Sequence, residues 1–261
     1  MSTRTIKQRF PGFVFASALL LGLVACQTSP PSAESARPSA PGAFSIPPGA
    51  TEYRVSGQES VLQILVYRGG PMAKLGHNHV IASHHLEGAV YAMEDPLRTR
   101  FDVSFPVAEL TVDEPAMRDQ AGPDFANLVP QSARDGTRNN LLSAALLDGA
   151  IYPTIRLRAL EAFAAGEGYE VGVEIMIKDQ VHVVRVPVTL RRDDGALVAS
   201  GEFPLKQSAL GLKPFTAAMG ALAVVDEMRV RFEVVCFQAL TSQALRATTE
   251  NGGQGPPSVK M

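Results

Sequence analysis

The stretch Glu227-Met228-Arg229-Val230-Arg231-Phe232-Glu233-Val234 alternates strictly between charged and apolar side chains. A period of two places Met228, Val230, Phe232 and Val234 on one face and the charges on the other. That is a β-strand with one face in a core and the other in water. The same rule reads outward along the chain. Phe101, Val103, Phe105 and Val107 alternate with Asp102 and Ser104. Tyr169, Val171, Val173, Ile175 and Ile177 alternate with Glu170, Gly172 and Glu174. The β-branched run Val181 to Leu190 follows across the tight connection Lys178-Asp179-Gln180, and Arg191 to Gly195 turns it into Ala196 to Leu205. Ser60 to Tyr67, Val80 to Met93 and Thr154 to Ala162 add three more, about eight strands in all. The expected class is all-β, an antiparallel meander closed into an eight-stranded barrel, because closure removes the exposed edges on which sheets aggregate. Only Ala133 to Leu147 and a short turn at Ser208 to Leu212 read as helical, the former with Leu141, Leu142, Ala145 and Leu146 on one face.

Composition excludes several functions. The 261 residues carry 24 Lys and Arg against 26 Asp and Glu, with no basic block in the folded part, so the electrostatic basis for binding nucleic acid is missing. Two cysteines cannot build a disulfide scaffold. No Gly-x-Ser-x-Gly elbow, His-Glu-x-x-His pair or phosphate-cradling glycine loop is present, so the expectation is a binding protein and not an enzyme.

The N-terminus reads as an address. Arg4, Lys7 and Arg9 precede the apolar run Phe13 to Val24, too short to span a bilayer and shaped like a secretory signal. It ends in Leu23-Val24-Ala25-Cys26, which resembles the lipobox of bacterial lipoproteins, in which the cysteine is acylated. By that resemblance residues 1–25 are a lipoprotein signal peptide and Cys26 is the lipidated residue. Gln27, where an aspartate tends to signal inner-membrane retention, favours the periplasmic face of the outer membrane. Residues 26–51 are Pro/Ser/Ala-rich and read as a linker too poor in large apolar groups to pack, residues 52–237 as the barrel domain, and 238–261 as an unpacked tail. With Cys26 acylated, Cys236 has no partner, and its phase with Val230, Phe232 and Val234 marks it as a buried small hydrophobe. A homodimer is compatible with this sequence.

Three segments together resemble the YceI-like family of lipocalin-like, polyisoprenoid-binding periplasmic proteins. They are Leu75-Gly76-His77-Asn78-His79-Val80-Ile81; Gly136-Thr137-Arg138-Asn139-Asn140-Leu141-Leu142 running on to Tyr152-Pro153-Thr154-Ile155; and Phe203-Pro204-Leu205-Lys206-Gln207-Ser208-Ala209-Leu210-Gly211. The resemblance implies a hollow barrel holding an isoprenoid chain, a polyprenyl or quinone-type tail, with no cofactor required beyond that lipid. On that reading Val103, Phe105, Val171, Val173, Ile175, Phe203, Val230 and Phe232 line the cavity, and Phe101, Ile177 and Leu146 lie nearer its openings. Alternation alone leaves a solid core equally open.

Four of the five histidines, His77, His79, His84 and His85, crowd into nine positions. On a strand His77 and His79 point the same way, about 7 Å apart. They are read either as contacts to a ligand headgroup at the barrel mouth, or as a hydrogen-bonded structural turn, or as weak metal-ligand candidates with His84 and His85. The last reading defines the alternative function, a histidine-based metal or haem protein of the envelope linked to respiration. No cysteine or obviously spaced carboxylate completes such a site. Gly76 is expected to adopt a positive φ in the turn. The stretch Asp113 to Asp135, with Asp113, Glu114, Arg118, Asp119 and Arg134, is expected to be mostly solvated surface.

Overall fold

The computed structural model describes residues 44–193 and 195–239. The signal stretch, Cys26, the linker before residue 44 and the tail from residue 240 lie outside the described residues.

Eight long strands form one antiparallel ring. They are β1 (Thr51–Val55 and Val61–Val66), β2 (His79–Ser83 and Glu87–Ala92), β3 (Arg100–Pro106 and Thr111–Val112), β4 (Thr154–Ala165), β5 (Gly168–Ile177), β6 (Gln180–Asp193), β7 (Ala196–Lys206) and β8 (Glu227–Gln238). Each pairs with the next, and β8 closes on both halves of β1 through Val55↔Cys236 and Ile64↔Val230. The first three strands are each broken once, which bends that side of the wall. The β5–β6 reversal is a two-residue turn with Lys178 and Asp179 both at positive φ, 51° and 57°, the primed geometry that matches strand twist. The first strand opens at Thr51 and the last ends at Gln238, one residue outside the expected limits at each end.

Helix α1 (Pro115–Ala121) and helix α2 (Gln131–Leu142) both lie between β3 and β4. The helix expected over 133–147 therefore starts two residues earlier and stops at Leu142, where Ser143 turns extended; Leu146 and Leu147 reach the core from turns. The expectation that 113–135 is solvated surface is wrong for its key residues. Asp113, Arg118, Phe125 and Val129 are buried, and Met117 and Phe125 pack on Leu65, Val80 and Ala82 of the outer wall. Two other local readings are corrected. Phe44, inside the supposedly unpacked linker, sits 6.0 Å from the Tyr91 ring with the Arg158 guanidinium over it. Gly76 has φ −100°, extended, and its carbonyl accepts from Arg68 at 2.8 Å.

Candidate functional site

The alternation rule sends one row of every strand inward, and the inward rows enclose a cavity of about 450 Å³. That volume lies in the range of small-molecule sites. All the residues expected to face a ligand line it: Phe101, Val103 and Phe105 from β3; Val171, Val173, Ile175 and Ile177 from β5; Phe203 from β7; Val230 and Phe232 from β8; Leu146 from the turn after α2; and His77 and His79 at one end. The lumen is hollow, not filled. Its wall is aliphatic and aromatic apart from Thr99, the Tyr169 hydroxyl and a group gathered at one end, Arg68, His77, His79, Thr137, Asn140 and Gln207.

That polar end is organised around His79, the first residue of β2. Its Nδ1 donates to Asp113 Oδ2 at 2.6 Å, because an ionised carboxylate can only accept. This fixes the tautomer and leaves Nε2 to accept from the Thr137 hydroxyl of α2 at 3.1 Å. Asp113 Oδ1 accepts from the Val80 amide at 2.9 Å and from Arg118 at 2.5 Å. Arg118 is in turn spent on backbone, donating to the carbonyls of Asn78, Phe125 and Asn127. Burial pushes the Asp113 carboxyl up, but the hydrogen bonds from His79, Val80 and Arg118 outweigh it and hold the group below its ordinary value. The neighbouring His77 ring lies 6.0 Å from that of His79, edge to face. Burial, then its neighbours His79 and Arg68, lower its pKa. The shift favours the neutral imidazole where His77 faces the lumen.

The other histidines stand apart from this cavity. His84 pairs with Glu114 at 3.2 Å and His85 approaches Glu109 at 3.9 Å, both on the outside. Among the described residues no three His, Cys, Asp or Glu side chains converge in a metal-binding arrangement. Cys236 is 1% exposed against Tyr53, Ala92 and Leu197, and burial pushes its thiol up to about 12.

Sequence reasoning missed part of the wall. Leu62, Ile64 and Val66 of β1 and Val186, Val188 and Leu190 of β6 also face the lumen. In β1 the signal is absent because both faces are covered: Gln63 and Leu65 point outward under α1, so Val-Leu-Gln-Ile-Leu-Val shows no clear period. In β6 the outward Val181 and Val183 are themselves apolar and exposed. Asp113 and Arg118 escape a reading of the sequence because a charged stretch is usually solvated, and only the fold-back of 113–130 over Val80 buries them.

A closed antiparallel barrel with a hollow apolar lumen and one polar mouth defines a lipocalin-like binding barrel. The model of the YceI-like domain matches residues 59–236, and the chain belongs to that family. Among solved structures, Burkholderia cenocepacia BcnA is similar in fold, with TM-score 0.51 and 17% identity over 69% of this chain and 98% of its own. The Campylobacter jejuni YceI protein aligns with TM-score 0.40 and 11% identity over 60% of this chain and 82% of its own. No curated protein matches the sequence.

Proposed function

We propose that the protein is a carrier that holds an isoprenoid chain, a polyprenyl or quinone-type tail, inside its barrel, and that acylated Cys26 tethers it to the periplasmic face of the outer membrane. The observation that carries this reading is the 450 Å³ lumen, apolar along most of its length, with its charged and imidazole groups gathered at the His77–His79 end. A flexible hydrocarbon with one polar terminus matches that gradient. Burying several isoprene units removes hundreds of Å² of apolar surface from water. At ~25 cal/mol per Å² that amounts to several kcal/mol before ordering costs are subtracted. His79 is held by Asp113 and Thr137 and Arg118 by carbonyls, so these groups are spent on the protein and His77 is the imidazole left to meet a headgroup. The test is organic extraction of the chain purified from a bacterial envelope, followed by mass spectrometry. The expected result is an isoprenoid near one per protein; a lumen that yields only straight-chain fatty acids, or no lipid at all, overturns the reading.

A further inference from the structure

Two loops meet over the polar end of the lumen. The first, residues 67–78, joins β1 to β2; the second, residues 207–225, joins β7 to β8. A small sheet binds them together, with Arg68–Gly69 paired to Leu222–Val224, and the Met72 amide donates to the Ala221 carbonyl at 2.9 Å. These loops hold large apolar side chains out in water: Leu75 is 67% exposed, and Met72, Phe215 and Met219 are exposed as well. Met219 stands free on a turn in which Ala218, Met219 and Gly220 are all left-handed, with φ of 49°, 54° and 86°. Two non-glycine residues in that region cost backbone energy, and here the cost serves to present an apolar side chain to solvent. Phe215 also lines the lumen, so the exposed patch is continuous with the cavity wall.

The charges on these loops have one sign. Residues 67–78 and 207–225 contain Arg68, Lys74 and Lys213 and no aspartate or glutamate. The next carboxylate, Asp226, is turned onto Ser208, whose amide and hydroxyl donate to it at 2.8 and 2.6 Å. Protruding apolar groups among exposed lysines are the composition of an interfacial membrane contact, in which the apolar side chains enter the headgroup region and the cations meet anionic lipid. We propose that this loop pair docks the mouth of the barrel on an anionic lipid bilayer, so that an apolar chain passes between bilayer and lumen along Phe215 without crossing water.

The test uses the full chain with Cys26→Ser, which leaves Cys236 buried, and an environment-sensitive nitrobenzoxadiazole dye on Met219→Cys. On vesicles of phosphatidylcholine with phosphatidylglycerol the dye emission shifts to the blue and is quenched by bilayer-borne quenchers. The same dye on Phe163→Cys, on the outer wall, stays aqueous. Lys74→Glu with Lys213→Glu abolishes the shift at 219 even where the apolar run 13–24 keeps the protein on the vesicle. Aqueous emission at 219 on vesicle-bound protein, an equal shift at 163, or a shift indifferent to charge reversal overturns the proposal. Lipid extracted from the same protein reports the lumen separately. An isoprenoid recovered beside an aqueous probe removes only the docking surface, whereas a shifted probe over an empty lumen removes only the carrier reading.

Discussion

His79 Nδ1 stands 2.6 Å from Asp113 Oδ2, and Asp113 shares its other oxygen with the Arg118 guanidinium. One buried carboxylate thereby links β2, the start of α1 and, through Thr137, α2, and it sets the floor of the mouth.

Removing that carboxylate leaves a buried guanidinium without its counter-charge. Asp113→Asn, which keeps the shape and tolerates the positive φ of 57° found there, is expected to cost about 3 kcal/mol in urea unfolding. Arg118→Met strands the opposite charge at similar cost. The double variant should lose clearly less than the two single losses combined, because the penalty belongs to the unpaired charge and not to the pair. Additive losses would remove the coupling.

The same site makes stability depend on pH. Folded Asp113 has a lowered pKa, so below about pH 4 the unfolded chain binds protons that the folded chain resists. Its contribution is complete above the unfolded value and is lost as pH falls through the folded one. Thermal unfolding followed from pH 6 down to pH 3 is expected to show a falling Tm with a slope that Asp113→Asn reduces. An unchanged slope would locate the acid sensitivity elsewhere, with Asp102 beside Arg156 and Arg158 the next group to test.

The barrel was legible because most of its strands see water on one face and lumen on the other, and Met228 to Val234 or Tyr169 to Ile177 record that directly. What could not be read is everything that depends on a third layer. The outward face of β1 lost its polarity because α1 covers it, and Asp113 became a core residue only because 113–130 folds back over Val80 and Leu65. Hollow and filled lumens share one pattern of inward apolar residues, since packing density leaves no mark on periodicity.

Glycine positions separate crowded wall from free surface. A Cβ on Gly201 would fall 2.2 Å from the Pro187 carbonyl and 2.8 Å from the Phe232 ring. Phe232 can rotate, but the strand carbonyl cannot give way without moving β6. Gly201→Ala is expected to destabilise by about 1–3 kcal/mol. Gly136, within α2, has nothing within 4 Å of its Cβ position, and Gly136→Ala is expected to stabilise by up to about 1 kcal/mol. Differential scanning fluorimetry of the two variants checks both signs.

With its thiol pushed up to about 12 and 1% exposed, Cys236 is expected to resist alkylation at pH 8 in the folded protein and to react in urea. Peptide mapping after iodoacetamide treatment reads the result. Ready labelling without denaturant would mean that the β8–β1 seam opens on its own.

A last substitution asks whether the lumen is empty in solution. Val173 projects from the middle of β5 into the cavity and is buried. In a filled core, Val173→Phe forces neighbours off their rotamers and costs about 1–3 kcal/mol. In a hollow barrel the added ring has space to enter and buries further apolar area, so unfolding in urea is expected to change by less than about 1 kcal/mol. The same ring obstructs the channel, and the isoprenoid recovered by extraction is expected to fall about tenfold, a loss of some 1.4 kcal/mol in binding. A variant that is strongly destabilised yet still loads lipid would refute both halves, because it would place the ligand outside the space that Val173 faces.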